Sequence, residues 1–135
     1  MGRRVWLIRP LPAVAIIATA LAVWPRRTGE SDVNLREVSA VSRVRRIHTS
    51  ETQYYSQYGH YAVTLPELAP MLDDDSLAGG AQDGYGFIVT GTGDTYQVIA
   101  SPHISGGRSF YSDQSMIVRV SDGRSPVTAA CPEFK

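Results

Sequence analysis

The chain has 135 residues, 43% hydrophobic and 19% charged, with 13 basic and 13 acidic side chains that cancel. That length allows one small domain with an N-terminal appendage. One cysteine (Cys131) and three scattered histidines exclude an intrachain disulfide and leave no spaced metal-ligand set.

The cancelling charge is divided along the chain. Residues 1–27 hold five arginines and no acid, and the remainder holds eight basic and thirteen acidic side chains. The acidic remainder argues against nucleic-acid binding through net field. Within the basic end, Leu11 to Trp24 is uncharged and bracketed by Arg3, Arg4 and Arg9 on one side and Arg26 and Arg27 on the other. This run of about fourteen residues falls short of the roughly 20 that cross a bilayer. Starting at Val5 lengthens it, with Arg9, Pro10 and Pro12 as interruptions. Residues 1–27 therefore read either as a cleaved signal peptide, with Ala20-Leu21-Ala22 as an A-x-A-like site, or as an uncleaved membrane anchor. The anchor would use residues 5–24, with Trp6 and Trp24 at the interfaces. Both readings export the rest of the chain.

Residues 28–59 read as one long amphipathic helix. Ser31 or Asp32 offers an N-cap. At 100° per residue Val33, Ala40, Val41, Val44, Ile47, Tyr54, Tyr55 and Tyr58 fall within an arc of about 140°. Gly59 supplies the left-handed position at the C-terminus. Residues 60–83 form a connector with a short helical turn at Leu65-Pro66-Glu67-Leu68, Pro66 suiting its first position. Asp73-Asp74-Asp75 and Gly79-Gly80 continue it as a solvated, Gly-rich loop.

The period changes to two in residues 84–124. Tyr85, Phe87 and Val89 share one face of a strand, and Tyr96, Val98 and Ala100 share a face of the next, with Gly91 to Asp94 as the hairpin loop. A third strand is expected around Arg108 to Ser112 and a fourth over Met116 to Val120. Residues 125–135 read as a loose tail. A sheet with one apolar face must be covered, and the long helix is the available cover. The expected fold is α+β: an apolar N-terminal segment and a long amphipathic helix packed on a three- to four-stranded antiparallel sheet.

No catalytic constellation converges in this sequence: there is no G-x-S-x-G elbow, P-loop or H-E-x-x-H, and no cofactor is expected. The tyrosine cluster (Tyr54, Tyr55, Tyr58, Tyr61) could stack on a sugar or peptide, but its shared arc favours packing onto the sheet. Arg43, Arg45 and Arg46 could meet phosphates or anionic lipid. They spread over about 160° of the wheel, which favours a solvated face. Glu51 stands in the middle of the apolar arc and wants a partner, His48 being the nearest candidate.

The order of parts resembles the type IV pilin and type II secretion pseudopilin superfamily. The resemblance rests on Tyr54-Tyr55-Ser56-Gln57-Tyr58-Gly59-His60-Tyr61 followed by Leu65-Pro66-Glu67-Leu68. It also rests on Gly84-Tyr85-Gly86-Phe87 and Phe110-Tyr111-Ser112-Asp113-Gln114, and covers roughly residues 30 to 122. The family's prepilin peptidase site has no counterpart: Gly2 is followed by Arg3-Arg4-Val5-Trp6-Leu7, and the apolar segment holds no glutamate. The resemblance implies a non-enzymatic extracytoplasmic structural subunit or accessory of a filament or secretion apparatus. Its partners would be other pilin-like subunits or secretion-apparatus proteins, while Tyr54, Tyr55, Tyr58, Glu51, Arg43, Arg45 and Arg46 are the candidates for partner or packing contacts. The expected location is the inner membrane with a periplasmic head, or secretion if the N-terminal segment is removed. The other reading is a free-standing secreted or periplasmic ligand-binding module.

Overall fold

The computed structural model describes residues 28–123 and 125–135, with helix side chains from Ser31 onward. The expectations about residues 1–27 lie outside the described residues. Among the described residues no helix is long and apolar enough to cross a membrane.

The periodic stripe of the sequence forms one helix, α1 (Thr28–Tyr58). It is already helical at Thr28, so neither Ser31 nor Asp32 caps it, which corrects that expectation. Its C-terminus is set by Gly59, whose φ of 74° lets its N–H reach Tyr55 O at 2.8 Å. A Cβ at Gly59 would meet nothing within 4 Å, so the residue is required by backbone conformation alone. Gly59→Ala is expected to cost about 1 kcal/mol, read as a lower thermal midpoint with an unchanged far-UV spectrum.

The connector carries α2 (Leu65–Leu68), a 3₁₀ turn (Ala69–Met71) and α3 (Asp75–Ala78). Leu65, Leu68, Leu72 and Leu77 are buried from this stretch and extend the core beside α1. The remaining elements are five strands: β1 (Ala81–Gln82), β2 (Tyr85–Gly91), β3 (Tyr96–Pro102), β4 (Ser109–Asp113) and β5 (Arg119–Ser121). They pair antiparallel in the order β1-β2-β3-β4-β5. The sheet is thus a five-stranded meander, one strand more than the upper expectation. The added strand, β1, lies inside the segment read as connector.

The register explains the core. Phe87, Ala100 and Phe110 stand in one cross-strand row, and Val89, Val98 and Ser112 in the next. Ala40, Val41, Val44 and Ile47 of α1 are buried against this face, as the period-two and 3.6-residue patterns require. The C-terminal segment corrects another expectation. Val120 N–H donates to Pro132 O at 2.9 Å and Phe134 N–H to Val118 O at 2.8 Å. The Phe134 ring meets Phe110 edge-on at 5.3 Å. Residues 132–134 therefore run along the outer edge of β5 and hold it, where a loose tail was expected.

Candidate functional site

Helix α1 brings two buried glutamates to the sheet and connector, and they are held differently. Glu37, 3% exposed, faces the β3–β4 loop. It accepts from the Arg108 backbone N–H at 3.0 Å, from Nε at 3.0 Å and from Nη2 at 2.7 Å. The Arg108 guanidinium also lies 5.4 Å from the Phe134 ring centroid, and the Tyr85 hydroxyl donates to Arg108 O at 2.8 Å. This carboxylate has a full set of charge-assisted donors.

Glu51 is fully buried with far less support. Oε2 accepts from Ala62 N–H at 2.9 Å, while Oε1 is buried without a hydrogen-bond partner. Burial pushes the carboxyl from an ordinary 4.5 up to about 7, the Ala62 N–H opposes the rise and the nearby Glu67 charge adds to it. The expected His48–Glu51 pair does not form. His48 instead faces the sheet, with Nδ1 on the Tyr96 hydroxyl and Nε2 2.7 Å from Ser112 Oγ. The two side chains stand about 60° apart on the helix, and each is taken by a stronger local partner, His48 by Tyr96 and Ser112 of the sheet and Glu51 by the Ala62 N–H of the connector.

The hydrogen-bond chain assigns the imidazole tautomer. Ser112 Oγ donates its one hydrogen to Ile117 O at 2.9 Å, so it accepts from Nε2–H, and Nδ1 accepts from Tyr96. Burial lowers the His48 pKa, a shift that the Asp113 charge opposes. Burial likewise raises the Tyr96 phenol, with Glu51, Tyr61 and Asp113 adding to the rise. A histidine beside a serine invites comparison with a base–nucleophile pair. Here the proton runs the wrong way, from imidazole to serine, and both side chains are buried. The trio is a locked polar seam between α1, β3 and β4.

The tyrosines separate. Tyr54 is half-buried, with its ring 4.5 Å from Tyr58 and 5.6 Å from His60. Tyr61 stacks inward on Tyr96 at 4.7 Å and outward on Tyr55 at 4.7 Å. Tyr55 and Tyr58 remain 47% and 55% exposed, which corrects the expectation that the whole cluster packs onto the sheet.

The arginines separate too. Arg43 lies 3.6 Å from both Asp74 and Asp83, and Arg46 lies 3.9 Å from Asp74. Asp74 also caps α3 through Ser76 N–H and Leu77 N–H and accepts from Gln82. These bonds, Gln82's first, hold its carboxyl below the usual range. Asp74 is therefore a structural anchor for α1, α3 and β1, while Asp73 and Asp75 remain solvated. Arg45 is different: among the described residues it has no acceptor. No group of three or more His, Cys, Asp or Glu among the described residues could hold a metal ion.

Glu37, Tyr96 and Ser112 do not stand out from the sequence as polar partners. Glu37 carries a legible signal, standing seven residues and so two turns before Val44 on the same stripe. Ser112 carries none, since its partner lies 64 positions away. Compared with protein-family models, with curated proteins and with solved structures, the chain matches none.

Proposed function

We propose that this chain is a non-enzymatic, pilin-like extracytoplasmic subunit or accessory of a filament or secretion apparatus, meeting other subunits through the free side of α1. The observation that carries the reading is the bare start of the helix. No side chain from Ser31 to Arg36 is buried, and Leu35 and Val38 are 69% and 62% exposed. Those six residues correspond to about 9 Å of helix, tied to the rest by Arg36, which donates to Asp83 O at 3.3 Å. Leu35 and Val38, about one turn apart on the open side of α1, form a seam for a second helix. The long helix over an antiparallel sheet adds general architectural support.

The test uses the full chain expressed from its native start in a Gram-negative host. Cysteines introduced at Leu35 or Val38 in a Cys131→Ser background should give crosslinked species in the membrane fraction. Val38→Asp in the Leu35→Cys protein, and Leu35→Asp in the Val38→Cys protein, should abolish them while leaving the melting temperature within about 2 °C. A soluble, monomeric chain with no crosslink at either position would overturn the proposal.

The exposed rings of Tyr55 and Tyr58 favour a second reading, the free-standing ligand-binding module. Both rings are steadied by neighbours, Tyr61 and Tyr54, which lowers the ordering cost of stacking a ligand on them.

A further inference from the structure

A cleft of about 320 Å³ opens where the middle of α1 passes the turn between β4 and β5, lined by Arg45, His48, Thr49, Thr52, Gln53 and Met116. Its size lies at the lower end of small-molecule sites. The turn is fixed by Met116 N–H to Asp113 O at 2.9 Å and Ser115 N–H to the Asp113 carboxylate at 2.9 Å. Met116 is held at φ 62° and stays 55% exposed, with Ile117 beside it 37% exposed. A flexible thioether left bare on one wall suits an apolar body of variable shape.

The polar groups narrow the class of ligand. Thr49 and Thr52 spend their hydroxyl hydrogens on the carbonyls of Arg45 and His48. His48 keeps both ring nitrogens on the seam and is neutral in that tautomer. Arg45 is the one lining side chain with a formal charge, and no described residue accepts from it. An unpaired guanidinium fork at the rim of an otherwise uncharged cleft matches a carboxylate, which it can hold in two parallel hydrogen bonds. The Asp113 carboxylate, the nearest acidic group of the turn, is already engaged by Ser115 and by the Tyr111 hydroxyl.

We propose that this cleft binds a small amphipathic carboxylate, a medium-chain or aryl acid, with its carboxylate on Arg45 and its apolar body against Met116. The proposal does not rest on the assembly reading, because it concerns side chains beyond the bare start of the helix.

The test is a titration of the full chain, labelled at the methionine methyls, with octanoate, octan-1-ol and octylamine. Octanoate should give a saturable shift of the Met116 methyl that exceeds any at Met71, which lines the adjoining depression on the other side of Arg45. Octan-1-ol should bind at least tenfold more weakly, and octylamine should give no saturable shift. Arg45→Gln should weaken octanoate at least tenfold, whereas Arg46→Gln, whose parent arginine faces Asp74, should leave it unchanged. A melting temperature within about 2 °C of the parent in both variants verifies the fold. The proposal fails if octanoate gives no saturable shift, if the three probes act alike, or if Arg45→Gln binds as tightly as the parent.

Discussion

Replacing Glu37 with alanine is expected to lower the unfolding free energy by about 3 kcal/mol. The substitution removes three donors' partner at once: the Arg108 backbone N–H and the Nε and Nη2 N–H groups of its guanidinium. The backbone N–H loses its acceptor, while the guanidinium, 43% exposed, can turn to water. That partial escape keeps the cost near the lower end of the range for broken buried pairs. Glu37→Gln should cost less, since one acceptor oxygen survives. Urea unfolding followed by circular dichroism separates the three proteins, and a loss below about 1 kcal/mol for alanine would show the pair to be a surface contact in energetic terms.

Glu51→Gln is expected to act in the opposite direction, stabilising the protein at pH 8 by about 2 kcal/mol. Between pH 4.5 and about 7 the folded carboxyl holds a proton that the unfolded chain has released. Stability from this group is complete below pH 4.5 and is withdrawn as pH rises through that window, by up to about 3 kcal/mol. Glutamine keeps an acceptor for Ala62 N–H and removes the charge. The two proteins should therefore be equally stable near pH 4.5 and diverge upward. His48 has the reverse dependence: its folded pKa is lowered from 6.5, so its contribution is present above pH 6.5 and lost on acidification. In the parent the two trends oppose each other between pH 4.5 and 6.5. In the glutamine variant the histidine's acid sensitivity should stand alone. Parallel pH–stability curves for the two proteins would refute this account.

The sequence pattern is informative where burial is periodic. Ala40, Val41, Val44 and Ile47 are buried where the helical wheel places them, and Tyr85, Phe87, Val89, Tyr96, Val98 and Ala100 where alternation does. Glu51 stands out for the same reason, as a carboxylate in an apolar arc. The pattern misleads at Tyr55 and Tyr58 because a wheel gives direction without length. Those residues point within the arc but occupy the last turn of α1, where the connector's Tyr61 is the ring that reaches Tyr55. β1 is illegible because two residues cannot display a period of two. The segment 132–134 is illegible because its attachment is by backbone bonds and the single ring of Phe134, too few apolar residues to display a period. The partition of the arginines depends on Asp74 and Asp83, whose distance from α1 is set by the whole connector.

The meander order has a consequence for how the chain reaches this structure. Each strand's neighbour in space is its neighbour in sequence, so the sheet can assemble from short loops, hairpin by hairpin. The helix is tied to it across 71 positions at Glu37–Arg108 and 64 at His48–Ser112, closures that are entropically more costly. Docking of α1 is accordingly expected to come late, with Glu37→Ala raising the unfolding rate more than it lowers the folding rate in stopped-flow measurements. Until docking, the inner rows led by Phe87, Val98 and Phe110 stand open to any amphipathic helix within reach. A second copy's α1 carries the same stripe and the same glutamate. The arrangement therefore contains the elements of a strandless domain swap, in which two copies exchange helices over unchanged sheets.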